Sequence, residues 1–262
     1  MSNISRRKLI TTGMAAAAGL AGLGVAARVA KQYGLVPPDY GGIYGFGETL
    51  TYASHRLLTK QSPAQEFPRS LISKPPFANE ITPLSDEFKR LQAGGFADWR
   101  LTVDGLVARP ASFSLDQLRS YPSRSQITQL ACEEGWSYIA EWIGVPLSHV
   151  LDVVGVLPQA RYVVYFSFQP DWWDSIDIAD ASHPQTFLFY GMNGDALPIG
   201  NGGPLRMRVP RQLGYKSVKF ITHLTITDNL KKFGKVWAPR LQTEAMPGTP
   251  VSDSLGSVNS GC

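Results

Sequence analysis

The stretch Gln129-Leu-Ala-Cys-Glu-Glu-Gly-Trp136 poses the central question of this chain. It sets a mid-chain cysteine ahead of two acids, a glycine and a tryptophan. The only other cysteine is Cys262, the last of 262 residues. By residue type alone, Cys132 reads equally well as a small buried core residue or as a reactive thiol. Two cysteines cannot build a disulfide framework. A Cys132–Cys262 bridge would tie mid-domain to an unpatterned tail, and it is not expected.

Outward from Cys132 the pattern is strand-rich. Ser125–Ala131 reads as a strand running into the cysteine. Trp99–Val107 alternates and turns at Asp104-Gly105. Tyr162–Phe168, Ser175–Ile178, Phe187–Tyr190, Leu205–Val209 and Val218–Ile226 read as further strands, and Asn193-Gly194 as a turn. Short helices are expected over Ser85–Gln92, Ser114–Ser120 and Leu147–Val154, the second opened by a serine cap and an acid. Strands and short helices alternate without regular βαβ units, which predicts an α+β domain. The expected organisation is a leader over residues 1–30, a wrapping extension over 31–95, a core over 96–232 and a tail over 233–262.

The hydrophobic content of 44% suits a globular protein with a sizeable core. The net charge of +4 belongs to the leader, because residues 1–30 hold four bases and no acid, leaving 25 − 4 = 21 bases against 21 acids. A protein that tracks phosphate backbones needs its excess charge on the domain itself, so nucleic-acid binding is not expected. The leader opens Ser5-Arg-Arg-Lys-Leu-Ile10 and continues into an Ala/Gly-rich run, which resembles a twin-arginine export signal. Periplasmic localisation is therefore expected, with tethering by an uncleaved signal as the variant. That route carries folded proteins and hints at a cofactor.

Two further clusters carry chemistry. Gly200-Asn-Gly-Gly-Pro-Leu-Arg-Met-Arg208 and Gly214-Tyr-Lys-Ser-Val-Lys219 form a local positive patch, with Arg206 and Arg208 two residues apart on one strand face. Such groups suit a bound phosphate, or form a solvated strand face; both readings stand at this level. Lys216 and Lys219 add charge beyond a glycine turn. Gln169-Pro-Asp-Trp-Trp-Asp-Ser-Ile176 holds adjacent tryptophans that could line a pocket mouth. The four histidines lack metal-ligand spacing, so no zinc site is expected.

The ordered set Cys132-Glu-Glu-Gly-Trp-Ser137, Trp142–Leu147, Ala160-Arg-Tyr-Val163, His183-Pro184, Tyr190–Gly194, Leu197-Pro198, Asn201–Arg206 and Gly214–Lys219 resembles the molybdopterin-binding domain of the sulfite oxidase superfamily, nearer its exported bacterial members. The resemblance implies a mononuclear molybdenum held by one pterin dithiolene and one cysteine thiolate, with Cys132 at the ligand position. A soft thiolate suits a metal that changes oxidation state. It further implies pterin contacts from Asn79, Ser167, Asn201, Arg206, Ser217, Val218 and Lys219. Trp172, Trp173 and Glu133 are placed at the substrate mouth. Where sulfite oxidase places arginines after the cysteine, this chain has Glu133 and Glu134, which would repel sulfite. A sulfoxide-like substrate and two-electron oxygen-atom transfer are therefore expected. No immunoglobulin-like dimerisation domain is recognised, so a monomer is expected. With no second redox centre in view, a membrane cytochrome b or a soluble cytochrome c would exchange the electrons. The competing readings are a non-catalytic pterin-binding scaffold and a thiol hydrolase using Cys132.

Overall fold

The computed structural model describes residues 62–233, apart from 79–81, 84, 133 and 171, together with a few positions between 50 and 58. The chain divides into two units, Met1–Ser62 and Pro63–Cys262, and the account below concerns the second. The export leader, Asn79, Glu133 and the tail from 234 lie outside the described residues.

Among the described residues of this unit, ten strands and four short α-helices make an α+β fold. In chain order they are α1 (Asp86–Ala93), β1 (Arg100–Gly105), β2 (Ala111–Ser114), α2 (Leu115–Ser120), β3 (Arg124–Ala131), β4 (Ser137–Pro146), α3 (Leu147–Val154), β5 (Tyr162–Ser167), β6 (Trp173–Asp177), α4 (Ile178–Ala181), β7 (Phe187–Met192), β8 (Asp195–Ala196), β9 (Arg206–Arg208) and β10 (Ile221–Thr227). The first sheet runs β2-β1-β10-β5-β6, and the second runs β3-β4-β7-β8 with β9 paired to β7. Among the described strands, only β1 and β10 pair in parallel. The start and end of the core therefore lie side by side.

Local signals set the ends of the helices. Ser85 caps α1 by accepting the Phe88 amide, and Ser114 with Gln117 forms a full capping box on α2; such caps contribute about 1 kcal/mol each. Asn193 and Gly194 carry φ of 56° and 96°, the positive values that a tight β7–β8 hairpin turn requires.

The main core joins both sheets: Leu101, Val103, Val163, Leu224 and Ile226 from the first meet Val145, Leu188 and Met207 from the second. A smaller aromatic core, with Tyr138, Trp142, Phe187, Phe189 and Met192, fills the other face of the second sheet. This explains why β4 escapes the sequence reading. It is the longest strand, yet its burial pattern is nearly continuous because both faces are covered. The period-2 signal that marks a half-exposed strand is lost there. Val218–Ile226 was expected as one strand, but β10 starts only at Ile221. The chain reverses just before it at Phe220, whose φ is 57°.

A strap over Pro63–Ala78 runs along the second sheet. The Phe67 amide donates to the Ile127 carbonyl and the Ser73 amide to the Ile139 carbonyl, both at 2.9 Å. Gln185 grips Ala64 like a peptide group, accepting from its amide at 2.6 Å and donating to its carbonyl at 3.1 Å.

Candidate active site

Cys132 follows β3 directly and opens a tight turn into β4. Its amide donates to the Trp136 carbonyl at 2.9 Å, and its own carbonyl accepts from the Gly135 amide at 3.1 Å. The residue is buried. Trp136 stacks on Tyr138 and meets the strap ring of Phe77, with centroids 5.9 and 4.5 Å apart. Its indole N–H donates to Glu134 at 2.6 Å. Contrary to the expectation from sequence, Cys132 is disulfide-bonded. The only other cysteine, Cys262, lies outside the described residues. A bonded sulfur is no thiolate, so metal ligation by Cys132 requires its reduced form.

The glycine-rich cluster comes to the same place. Asn201 through Val209 is buried throughout. Gly214 packs so closely on the end of β3 that a Cβ there would lie 2.1 Å from the Ala131 carbonyl oxygen and 3.3 Å from the Cys132 Cα. The turn Gly214–Lys216, with Ser217 and Lys219 after it, therefore sits against the cysteine. Gly202, at φ 106°, leaves no room for a Cβ beside the Lys219 stem, 2.9 Å away.

Arg206 and Arg208 are not a solvated face. Both are 1% exposed. Their pairing with Phe189 and Phe187 turns them toward the aromatic core, where both guanidiniums stand over the Trp142 ring. Met207 between them faces the main core. Arg206 donates from Nε to the Ser217 carbonyl and from Nη1 to the Asn201 carbonyl, each at 2.9 Å. Its Nη2 is buried with no partner, as is Nε of Arg208. Burial, then the neighbouring Arg206, pushes Arg208 down to about 9. Burial also lowers Arg206. Lys219, 2% exposed, donates to the Gly200 carbonyl at 2.5 Å. Burial first, and Arg206 second, brings it down to about 7, against an opposing pull from Glu134.

Burying two guanidiniums on neutral acceptors costs several kcal/mol per ion unless an anion joins them. The partnerless Arg206 Nη2 and the depressed Lys219 fit an anionic group such as the phosphate of a pterin cofactor. Asn201 ties this cradle to the strap, donating to the Phe77 carbonyl at 3.0 Å and to the Tyr138 hydroxyl at 3.3 Å.

The structure brings Cys132, Asn201, Arg206, Ser217 and Lys219 together. Val218 contributes only backbone there, since its side chain lies in the main core. Ser167 ends β5 opposite Ile221, and its hydroxyl accepts from the Gln169 amide. Trp172 packs against the main core, its carbonyl accepting from the Ser167 amide. Trp173 joins Phe166 and Phe233 instead, with centroids 6.3 and 6.0 Å away. Lys216 adds no charge to the cradle: it donates to Asp174 at 2.6 Å in a buried ion pair. Burial raises Asp174, and Lys216 only partly offsets that. Among the described residues, no cluster of His, Cys, Asp or Glu could hold a metal by itself, and no helix is long and apolar enough to cross a membrane.

Sequence reasoning counted Arg208 in the patch without a role, and it missed Tyr138, Phe77 and Gln185. No short motif marks these, because each acts on a partner at least 63 residues away.

This fold and cradle define a molybdopterin-binding oxidoreductase domain. The chain belongs to that family: the model described as the oxidoreductase molybdopterin binding domain matches residues 90–233, more than half its length. The cofactor is accordingly Mo-molybdopterin. Among curated proteins, the chain is 39% identical over 163 residues to an Azospira oryzae protein provisionally named as a protein-methionine-sulfoxide reductase subunit, covering 62% of this chain and 60% of that one. It is 33% identical to the protein-methionine-sulfoxide reductase catalytic subunits of Ralstonia nicotianae, covering 50% of this chain and 44% of that one, and of Xanthomonas axonopodis, covering 57% and 51%. The chain thus spans about half the length of the curated relatives it matches. A solved structure, the sulfane dehydrogenase SoxCD of Paracoccus pantotrophus, aligns with a TM-score of 0.48 at 25% identity, over 51% of this chain and 39% of that one.

Proposed function

We propose that this chain is an exported, periplasmic catalytic subunit that reduces a sulfoxide to a thioether, taking up two electrons and two protons and releasing water. The observation that carries the reading is the close packing of Gly214 on Ala131 and Cys132, which sets the cysteine, a thiolate donor once reduced, beside a buried cationic cradle. When bound, the cofactor supplies the two-electron, oxygen-accepting chemistry. This chain's residues hold it: reduced Cys132 by its thiolate, Asn201, Arg206 and Lys219 by hydrogen bonds and charge, and Ser217, Val218 and Ser167 from the surrounding backbone. Asn79, outside the described residues, is proposed as a further pterin contact from the resemblance alone.

Glu134 exerts enough field at the cradle to oppose the depression of Lys219. A carboxylate near the substrate mouth would disfavour an anion such as sulfite more than a neutral sulfoxide. Glu133 would act with it, and Trp172 would wall the substrate mouth. The names of the curated relatives point to the same substrate class. Electrons would come from a membrane cytochrome b or a soluble cytochrome c, and a twin-arginine leader would deliver the folded, loaded protein.

The test is metal analysis with a substrate panel. The full chain expressed with molybdate should carry roughly one Mo per chain, and Cys132→Ser should fall to background. A viologen-mediated assay should turn over sulfoxides and not sulfite. Full Mo content in Cys132→Ser, or turnover of sulfite alone, would refute the proposal.

A further inference from the structure

The cofactor cradle accounts for Arg206 and Lys219 but leaves Arg208 without a task. Its guanidinium is fully buried, stands 5.4 Å from the Trp142 ring centroid, and has no carboxylate among its described hydrogen-bond partners. A methionine or leucine would fill the space without the desolvation penalty of several kcal/mol. What a methionine could not do is hold two chain segments at once.

The partners of Arg208 lie on two segments. From Nη2 it donates to the Gln129 carbonyl at 2.5 Å and the Thr128 hydroxyl at 3.3 Å, both in β3 and within four residues of Cys132. From Nη1 it donates to the Ser217 hydroxyl at 3.2 Å, two residues before Lys219. The same hydroxyl accepts from the Val209 amide at 3.3 Å, so the cradle side of the bridge is itself pinned. Arg206 differs: it bonds the Asn201 and Ser217 carbonyls within the cradle segment and Tyr138 of β4, and none of these partners lies in β3.

We propose that Arg208 is a positioning residue whose rigid fork sets the end of β3, and with it the Cys132 sulfur, against the segment that holds the pterin. The inference rests on the reading of Cys132 as the metal ligand. A planar guanidinium bridges two directions in fixed geometry, which a flexible ammonium cannot do. All the described hydrogen-bond partners of Arg208 are protein groups, so its role acts through the segments it joins. It would fix the end of β3 relative to the segment that would hold the pterin.

The test uses full-chain, Mo-loaded Arg208→Lys and Arg208→Met, with EPR of the half-reduced metal and the rate of Mo loss after dilution into chelator. Both variants should shift the g-values of the loaded fraction and lose Mo about 10-fold faster, as loss of outer-shell support does elsewhere. Lysine should not rescue. If Arg208→Lys restores the wild-type spectrum and retention, the role is charge alone and the proposal fails. It fails too if both variants show lower yield but a wild-type spectrum in the loaded fraction. Should neither variant load, Thr128→Val cuts one β3 bond and leaves the arginine in place. A smaller g-shift in the same direction is expected, and an unchanged spectrum overturns the idea. Cys132→Ser, run alongside, tests the ligand reading separately: if it keeps the wild-type signal, that reading falls whatever Arg208 does.

Discussion

Replacing Lys219 by methionine should make the cofactor-free protein more stable. Burial brings the Lys219 amine from 10.5 down to about 7. Below pH 7 the amine is charged in both folded and unfolded chains, and the fold bears the whole burial penalty. Between pH 7 and 10.5 only the unfolded chain holds the proton, so stability rises with pH across that window. At about 1.4 kcal/mol per pH unit, the full penalty is about 5 kcal/mol. Methionine removes it but also removes the bond to the Gly200 carbonyl, which as a charged hydrogen bond contributes about 1.5–3 kcal/mol. The net expectation near pH 7 is a gain of about 2–3 kcal/mol. Urea unfolding of cofactor-free wild type and Lys219→Met at several pH values between 6 and 10 would measure it. The wild type should gain stability relative to the variant as pH rises, and the gap should shrink and reverse near pH 10. A pH-independent difference between the two, or a variant less stable at pH 7, would refute the reasoning. Mo content should move the other way, lower in the variant, because the cradle has lost a cation.

Gly214→Ala should unseat the turn beside Cys132, since its Cβ would lie 2.1 Å from the Ala131 carbonyl oxygen with no flexible side chain to yield. Mo content should drop severalfold while far-UV circular dichroism changes little; undiminished Mo would count against the packing described. Leu101→Ala empties a fully buried position in β1. It should cost about 2–5 kcal/mol in urea unfolding without altering the EPR spectrum of loaded protein.

What the chain states locally could be read without a structure. Ser85 and Ser114 mark helix starts because a cap needs only a neighbouring amide. Asn193-Gly194 marks a hairpin because positive φ favours those residue types. The ordered motifs around Cys132, Asn201 and Lys219 announce the family. Tertiary structure decided the rest. Strand β4 hides because a second core covers the face that would otherwise have been polar. Whether Arg206 and Arg208 met water depended on Trp142, more than 60 residues earlier in the chain. Lys216 leaves the cradle for Asp174, 42 residues away, and Arg208 reaches across 79 residues to Gln129. Charge, burial and bridging are properties of neighbours in space. A sequence names the groups that can pair, and only the folded chain chooses which of them do.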